Sequence, residues 1–594
     1  MDRLSIKKIQ KLGHSAIDDI QSLNWKSAEQ KMMTVLAIDP HEFNALNLLA
    51  YIFVMQGELA QAISRMEQAR SIQPLDPGLL INLGKAYFNS GSYEKSIQIY
   101  EIYKNNHLPK PEVNLDIIIA NEKLGNLQLA LDLCLDLTKN YQEYTAAWKQ
   151  LNVIYIKLKR LDESKIAALK VLEIASSDPD AWIALGNSLY ELGDYKEAIH
   201  ANERALELSP ESSIPWTNIG NCYLKLGMGD RAIESHLHSI QLEPESEDAL
   251  YNLGVTYGRI GDLGGAIDSY DRLLKLSPGN NQAKFNKGLA LLQLADFEHG
   301  WPLYEHRWDL DGAIQMRHTH IDRLDSLDGI KGKKILVWHE QGYGDTIQFC
   351  RFVFKLIEYG AVVTFEVPKP LTSLLKIQLQ CKVVESIMYY EQFDFQIPLL
   401  SLPLLFNTDL DSISSAPFFK VNPSKLEFWK ERLHLSTNKL NIGFAFSGNV
   451  LHKNDHNRSM PVSFIKPLLN DAKVFILQKQ LSAVDRSFLN ENSEIVFLGP
   501  EIEDFSDTAA IIQNLELIIS VDTSLIHLAG SLNKKALLLL PHIPDWRWLR
   551  GRLDTPWYQS ISIIHQESEG DWNGSMSKVV NHAYFLDNGT GLAG

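Results

Sequence analysis

Residues 181–210 read AWIALGNSLYELGDYKEAIHANERALELSP. Apolar residues recur at helical spacing on either side of Gly193, which predicts two helices joined by a tight turn. Gly193 suits the left-handed backbone of such a turn, the small Ala198 admits the first helix at close range, and Pro210 ends the unit. The unit returns along the chain. Pro40, Pro74, Pro210, Pro244 and Pro278 are separated by 34 residues or a multiple of it, and Gly57, Gly91, Gly125, Gly193, Gly227 and Gly261 share one phase. Ala28, Ala62, Ala130, Ala198, Ala232 and Ala266 share a second phase, and Trp148, Trp182 and Trp216 a third.

A helix–turn–helix period of this length and composition is that of the tetratricopeptide repeat. About nine copies run in register from near residue 9 to near residue 312, with degenerate first and last copies as capping requires. The expectation is an α-solenoid over residues 1–312 whose concave groove is lined by the first helix of each unit. The sixth position of each unit, expected to face that groove, holds Leu48, Asn82, Asp116, Gln150, Ala184, Asn218, Asn252 and Asn286. Asn218, Asn252 and Asn286 form a run that can grip the backbone of a polypeptide acceptor, because an amide both donates and accepts. Equally, asparagine there can cap or solvate a helix. The ladder resembles that in eukaryotic O-linked N-acetylglucosamine transferases, but Leu48, Asp116 and Ala184 interrupt it.

After WPLYEHRWDLDG (301–312) the period stops and ten short apolar, β-branched runs follow, from KKILVW to SISIIHQ. Such runs, separated by helical stretches, predict parallel sheets covered on both faces. The polar stretch VNPSKLEFWKERLHLSTNKL (421–440) divides the runs into two sets, giving two Rossmann-like domains at 333–425 and 426–594 after a connector at 313–332. Ligands are then expected beyond the carboxyl ends of the strands.

Three strand-end segments carry candidate chemistry. HEQGYGD (339–345) follows the first strand; Gly342 and Gly344 let backbone approach a ligand or a facing domain, while Asp345 is either a base or merely the N-cap of the next helix. SGNVLHKNDHNRSMP (447–461) holds Lys453 and Arg458, candidates to neutralise a diphosphate. SVDTSLIHLAGSL (520–532) places Asp522, Thr523, Ser524 and Leu525 at a helix start, where free N–H groups suit an anion, with His527 one turn in. Lys479, after another strand, is either a nucleotide contact or a solvated strand end. PDWRWLRGRLDTPWYQS (544–560) sets Arg547 between Trp546 and Trp548, favouring a ligand role for the arginine; Trp546, Trp548, Trp557 and Tyr558 suit stacking or domain closure alike.

The motifs ILVWHEQGYGDTIQFCRF, IGFAFSGN with NDHNRSMP, FSDTAAIIQNLELIISVDTSLIHLAGSL, and PDWRWL with DTPWY resemble the C-terminal domain of bacterial tetratricopeptide-repeat glycosyltransferases. Those are similar to the ADP-heptose heptosyltransferase family, and the resemblance covers residues 330–590. It implies a GT-B fold, with 333–425 on the acceptor side and 426–594 on the nucleotide-sugar side. It further implies an inverting, metal-independent transfer without a cofactor, from a nucleotide sugar to Ser or Thr of a polypeptide. Asp345 falls on the general base, Arg458 on a donor-phosphate contact, and Asp522, Thr523, Ser524, Leu525 and His527 on the diphosphate-wrapping stretch. A narrower resemblance, to flagellin-modifying enzymes, implies flagellin as acceptor. Thr346 stands where many relatives of the repeat type have an acid, and PHIPDWRWLR has no counterpart in plain heptosyltransferases.

Composition bounds the alternatives. Seventy-three acids against 57 bases leave a net charge of −16, which speaks against a nucleic-acid partner. No stretch approaches the roughly 18 apolar residues of a membrane span, and the N-terminus lacks a signal-peptide pattern, so no membrane insertion and a cytoplasmic location are expected. Cys134, Cys222, Cys350 and Cys381 lack zinc or redox spacing. The acid pairs Asp309/Asp311 and Asp409/Asp411 lie away from the strand ends, and His452 and His456 sit in a polar loop, so no metal site is expected. Two other readings stay open: transfer to a lipid-linked or saccharide acceptor, and a non-catalytic repeat scaffold that binds nucleotide.

Overall fold

The computed structural model describes residues 3–310, 312, 315–387, 392–448 and 455–587. It comprises two compact units, Met1–Pro244 and Glu245–Gly594.

The first unit is a run of antiparallel helix pairs, from Arg3–Gln21 with Trp25–Ile38 to Ser213–Lys225 with Gly229–Leu242, each pair packed on the next. The residues that set the period do the work expected of them. Gly57, Gly91, Gly125, Gly193 and Gly227 have φ between +73° and +87°, the left-handed conformation that a side chain resists. Ala28, Ala62, Ala130, Ala198 and Ala232 are fully buried where paired helices touch. A second glycine phase goes beyond the sequence reading: a Cβ on Gly186 would lie 2.4 Å from the Asn202 side chain, and one on Gly220 2.5 Å from the His236 ring.

His236 is an unusual filler for that contact. It is fully buried, and neither ring nitrogen has a hydrogen-bond partner among the described residues. Burial pushes its imidazole down to about 4. A histidine held neutral in this way contributes stability that is present above its unfolded value near 6.5 and is lost as pH falls through 4. The first unit is therefore expected to weaken between pH 6.5 and 4 by about 3 kcal/mol from this residue alone. His236→Phe should flatten that part of the dependence in denaturation midpoints recorded across the range; an unchanged slope would refute the assignment.

The second unit begins with two further helix pairs, Glu247–Ile260 with Leu263–Leu276, and α1 (Asn281–Gln293) with α2 (Phe297–Tyr304). Every expected strand follows: β1 Lys334–Trp338, β2 Val362–Glu366, β3 Lys382–Val384, β4 Phe395–Pro398, β5 Leu440–Ala445, β6 Ala472–Ile476, β7 Val496–Phe497, β8 Leu517–Val521, β9 Ala536–Leu540 and β10 Ile561–His565. They form two wholly parallel sheets, ordered β3-β2-β1-β4 and β10-β9-β8-β5-β6-β7. In the first, the order reverses between β1 and β4; in the second, between β5 and β8. Such switch points leave a crevice beyond the strand ends, because the adjoining loops depart to opposite faces.

The connections are more ordered than the sequence suggested. The dividing stretch forms a helix, Pro423–Leu433, with Trp429 buried and its indole N–H donating to Asp507 Oδ1 at 3.0 Å. The boundary set at 425/426 thus falls inside a packed helix. In the connector, Leu324 N–H donates to the Gln396 carbonyl at 2.9 Å, and Gln396 N–H to the Asp322 carbonyl at 2.8 Å, running alongside β4. Ahead of it, Arg307 is buried against Glu340, with Nε 2.7 Å from Oε2.

Candidate functional site

The loop after β1 leads into helix α3 (Tyr343–Phe349), and that after β8 into α4 (Ser524–Ser531); the two helices pack together. Gly344 makes the approach possible, since a Cβ there would lie 2.9 Å from His527 Cδ2. Its lack of a side chain serves a facing element of the same unit. Gly342 instead lends its N–H to Asp345 Oδ2 at 2.9 Å.

Asp345 lies at the third helical residue, not at the N-cap, and reaches back to that N–H. Its other oxygen, Oδ1, takes Arg547 Nη2 at 2.5 Å. Arg547 also donates through Nη1 to Asp545 Oδ1 at 2.8 Å, and its guanidinium lies 4.4 Å from the Trp546 ring centroid. These two acids hold the buried guanidinium firmly protonated against the cost of its burial. Asp545 was not singled out by sequence as a site residue; the visible signal was an acid opening a Trp-Arg-Trp turn.

On the other side of the crevice, Thr523 is the N-cap of α4, its Oγ1 accepting from Leu525 N–H at 3.3 Å and bonded to Ser520 Oγ at 3.0 Å. Ser524 opens the first turn. Arg458 donates through Nη1 to the Asp522 carbonyl at 3.3 Å and through Nε to Asp455 at 3.2 Å. A Cβ on Gly448 would meet that guanidinium at 2.4 Å, so glycine there leaves room for it. The structure thus brings Arg458 to the Asp522–Ser524 turn. Lys453, His452, Asn449 and Asn454 lie outside the described residues.

His527 is fully enclosed. Its Nδ1 is 3.1 Å from Tyr558 Oη and its ring stacks on Trp548 at 5.0 Å. Burial, then the charges of Arg547 and Arg351, hold it well below the usual histidine range, so it is neutral. Lys479 is exposed and donates to the Glu503 carbonyl at 3.1 Å, a strand-end position. Its neighbour Gln478, which the sequence reading passed over, ties the post-β5 loop by accepting from Phe446 N–H at 3.1 Å and donating to Ser447 Oγ at 2.8 Å. Trp546, Trp548, Trp557 and Tyr558 are all buried, Trp546 edge-on to Trp301 at 5.4 Å, so these rings close the interior.

The repeat-groove asparagines are occupied to different degrees. Asn218 Nδ2 donates to Asn187 Oδ1 at 3.1 Å and Asn202 Oδ1 at 3.2 Å. Asn286 donates to Tyr251 Oη at 3.1 Å and accepts from Gln282 at 3.3 Å. Asn252 is half-buried. Asp309 bonds to His306, Asp409 caps Ser412 N–H at 2.8 Å, and Asp311 lies outside the described residues.

Comparison with known proteins adds to this geometry. Tetratricopeptide-repeat models match residues 53–115, 179–212, 230–281 and 251–298. The helix pairs in those stretches are tetratricopeptide repeats. Over 318 residues the chain is 23% identical to Protein FlbA of Caulobacter vibrioides, covering 49% of this chain and 53% of that protein. Over 209 residues it is 24% identical to the human Protein O-mannosyl-transferase TMTC3, covering 32% of this chain and 22% of that protein. The chain therefore spans about half the length of the first relative and under a quarter of the second. Among solved structures, a tetratricopeptide repeat protein from Parabacteroides merdae aligns at a TM-score of 0.38 and 18% identity, over 42% of this chain and 98% of that one. The Cut9–Hcn1 structure aligns at 0.34 and 14%, over 47% and 55%. Among the described residues no helix is long and apolar enough to cross a membrane.

Asp522 offers a test of the site's electrostatics. Its side chain is 17% exposed; burial and then the nearby Asp545 push its carboxyl up to about 6, against the pull of Trp548, Arg458 and Arg547. A carboxyl raised in the fold contributes stability that is present below its unfolded value near 4 and is lost as pH rises through 6. Asp522→Asn should therefore gain on the wild type by up to about 3 kcal/mol between pH 4 and 7. Denaturation midpoints of both proteins over that range check it; a difference that stays flat would show the carboxyl to be ionised throughout.

Proposed function

We propose that the protein is a cytoplasmic glycosyltransferase of GT-B architecture that moves a sugar from a nucleotide-activated donor to Ser or Thr of a polypeptide engaged by the repeats. One observation carries this reading: an acid from the switch point of one sheet and a phosphate-suited turn from the switch point of the other come together where α3 packs on α4, with Arg547 bound to the acid. The printed name of the human relative, an O-mannosyl-transferase, and the repeat models agree with it. Asp345 would take the proton of the acceptor hydroxyl as it attacks the anomeric carbon with inversion, an effect worth roughly 10²- to 10⁴-fold when well placed. Charge developing on the departing nucleoside diphosphate would be met by Arg458, the Thr523 hydroxyl and the α4 N-terminus, preorganised donors that cost little to realign. In this reading those groups serve where a metal would otherwise, and no cofactor takes part.

A second reading, transfer to a lipid-linked or saccharide acceptor, draws support from Asn218 and Asn286. Their amide N–H groups are engaged within the array, so they have little donor capacity left for a peptide carbonyl.

The test is a thermal-shift panel of nucleoside diphosphates and nucleotide sugars on the wild type and Arg458→Ala. Ligand at 100 times its Kd should stabilise the wild type by about 2.7 kcal/mol, with the gain lost in the variant. Asp345→Ala should keep donor binding and lose turnover by at least roughly 10²-fold. No shift with any nucleotide would leave the scaffold reading in its place.

A further inference from the structure

We infer that Arg547 is a positioning residue shared between Asp345 and the donor diphosphate, so that donor arrival is what frees the base. The inference rests on the glycosyl-transfer reading above and concerns how that site is regulated.

As it stands, both oxygens of Asp345 already accept a hydrogen bond. One oxygen accepts the Gly342 N–H at 2.9 Å and the other accepts Arg547 at 2.5 Å, so an acceptor hydroxyl would have to compete with a charge-assisted bond. Elsewhere Arg547, only 9% exposed, keeps Asp545 on Nη1 and the Trp546 ring at 4.4 Å, while Nε has no hydrogen-bond partner among the described residues. A buried guanidinium with an unused donor has reason to exchange partners.

The alternative partner is close by. A Cβ on Gly344, the residue before Asp345, would lie 3.5 Å from Ser524 Cα, and Arg458 donates to the Asp522 carbonyl, so the Asp345–Arg547 pair and Arg458 both adjoin the turn that opens α4. A diphosphate seated on Thr523 and Ser524 would bring more than one negative charge and a bidentate oxygen pair, the geometry a guanidinium fits best. Arg547 would then turn from Asp345 to phosphate while Asp545 keeps Nη1. Asp345 would lose its counter-charge as the donor becomes bound, which orders the reaction with donor first.

Calorimetric titration of ADP, GDP, UDP and CDP into the wild type, Asp345→Asn, Arg547→Gln and the double variant tests this, with melting curves to verify folding. If Arg547 is shared, Asp345→Asn should tighten the binding nucleotide by on the order of tenfold, the size of one charge-assisted hydrogen bond. Arg547→Gln should weaken it by a similar factor, and in that background Asp345→Asn should have no effect. Arg547→Lys, which keeps the charge, should restore part of the affinity. Tightening that persists in the Arg547→Gln background would reduce the effect to plain repulsion by Asp345 and overturn the inference. So would Asp345→Asn binding no tighter than wild type, an outcome that decides the matter even if Arg547→Gln does not fold. In either case, binding lost in Arg458→Ala would leave the proposed function standing. Absence of nucleotide binding by the wild type would overturn the function itself and this inference with it.

Discussion

The ion pair between Arg547 and Asp345 joins the end of β1 in one sheet to the segment after β9 in the other. Its two charges are largely withdrawn from water, and a pair in that setting adds little net stability, because desolvation offsets most of the attraction. What it supplies is a link between the two strand ends. On either side of Arg547, Trp546 lies against Trp301 and Tyr304, and Trp548 stacks on His527. Gly344 then meets the His527 ring with no side chain between them. The walls of the crevice follow from these contacts.

The last repeat belongs to the same core. Trp301 donates to the Thr408 carbonyl at 3.0 Å, and Gln293 Nε2 to the Pro544 carbonyl at 3.0 Å. The buried pair of Arg307 and Glu340 adds a charged tie to the loop after β1. The final helix pair of the second unit is therefore a wall of the α/β region as much as the end of an array. Trp301, Trp546 and Trp548 serve that closure, so much of an aromatic pattern that also suits sugar stacking is here consumed by packing.

Four carboxylates and two guanidiniums gather here. Asp345 and Asp545 hold Arg547, Asp455 holds Arg458, and Asp522, which makes no ion pair with either arginine among the described residues, has its carboxyl pushed up to about 6 by burial and then by Asp545. Such an arrangement is tense without an anion and is eased by one, since each added negative group can take a guanidinium from a carboxylate. In the proposed reading that anion is the donor diphosphate.

The repeat period was legible because it rests on local constraints: a left-handed turn at Gly193 and its equivalents, and buried alanines where helices touch. The ten strands were legible because a parallel sheet covered on both faces must be built from continuous apolar runs. Strand-end motifs likewise disclosed Arg458 and the Thr523 turn, which sit beside the strands that place them. By itself the sequence determined the period, the strands and which loops end at a crevice, since each depends on neighbours within a few residues. It could not show that Asp345 is held by Arg547, 202 residues away. Nor could it show that Gln478 rather than Lys479 secures the β5 loop, that Asn218 and Asn286 bond within the array, or that the dividing stretch is a packed helix. Only the tertiary structure decided these, because each is a choice of partner between groups distant in the chain, set by burial and geometry rather than by local preference.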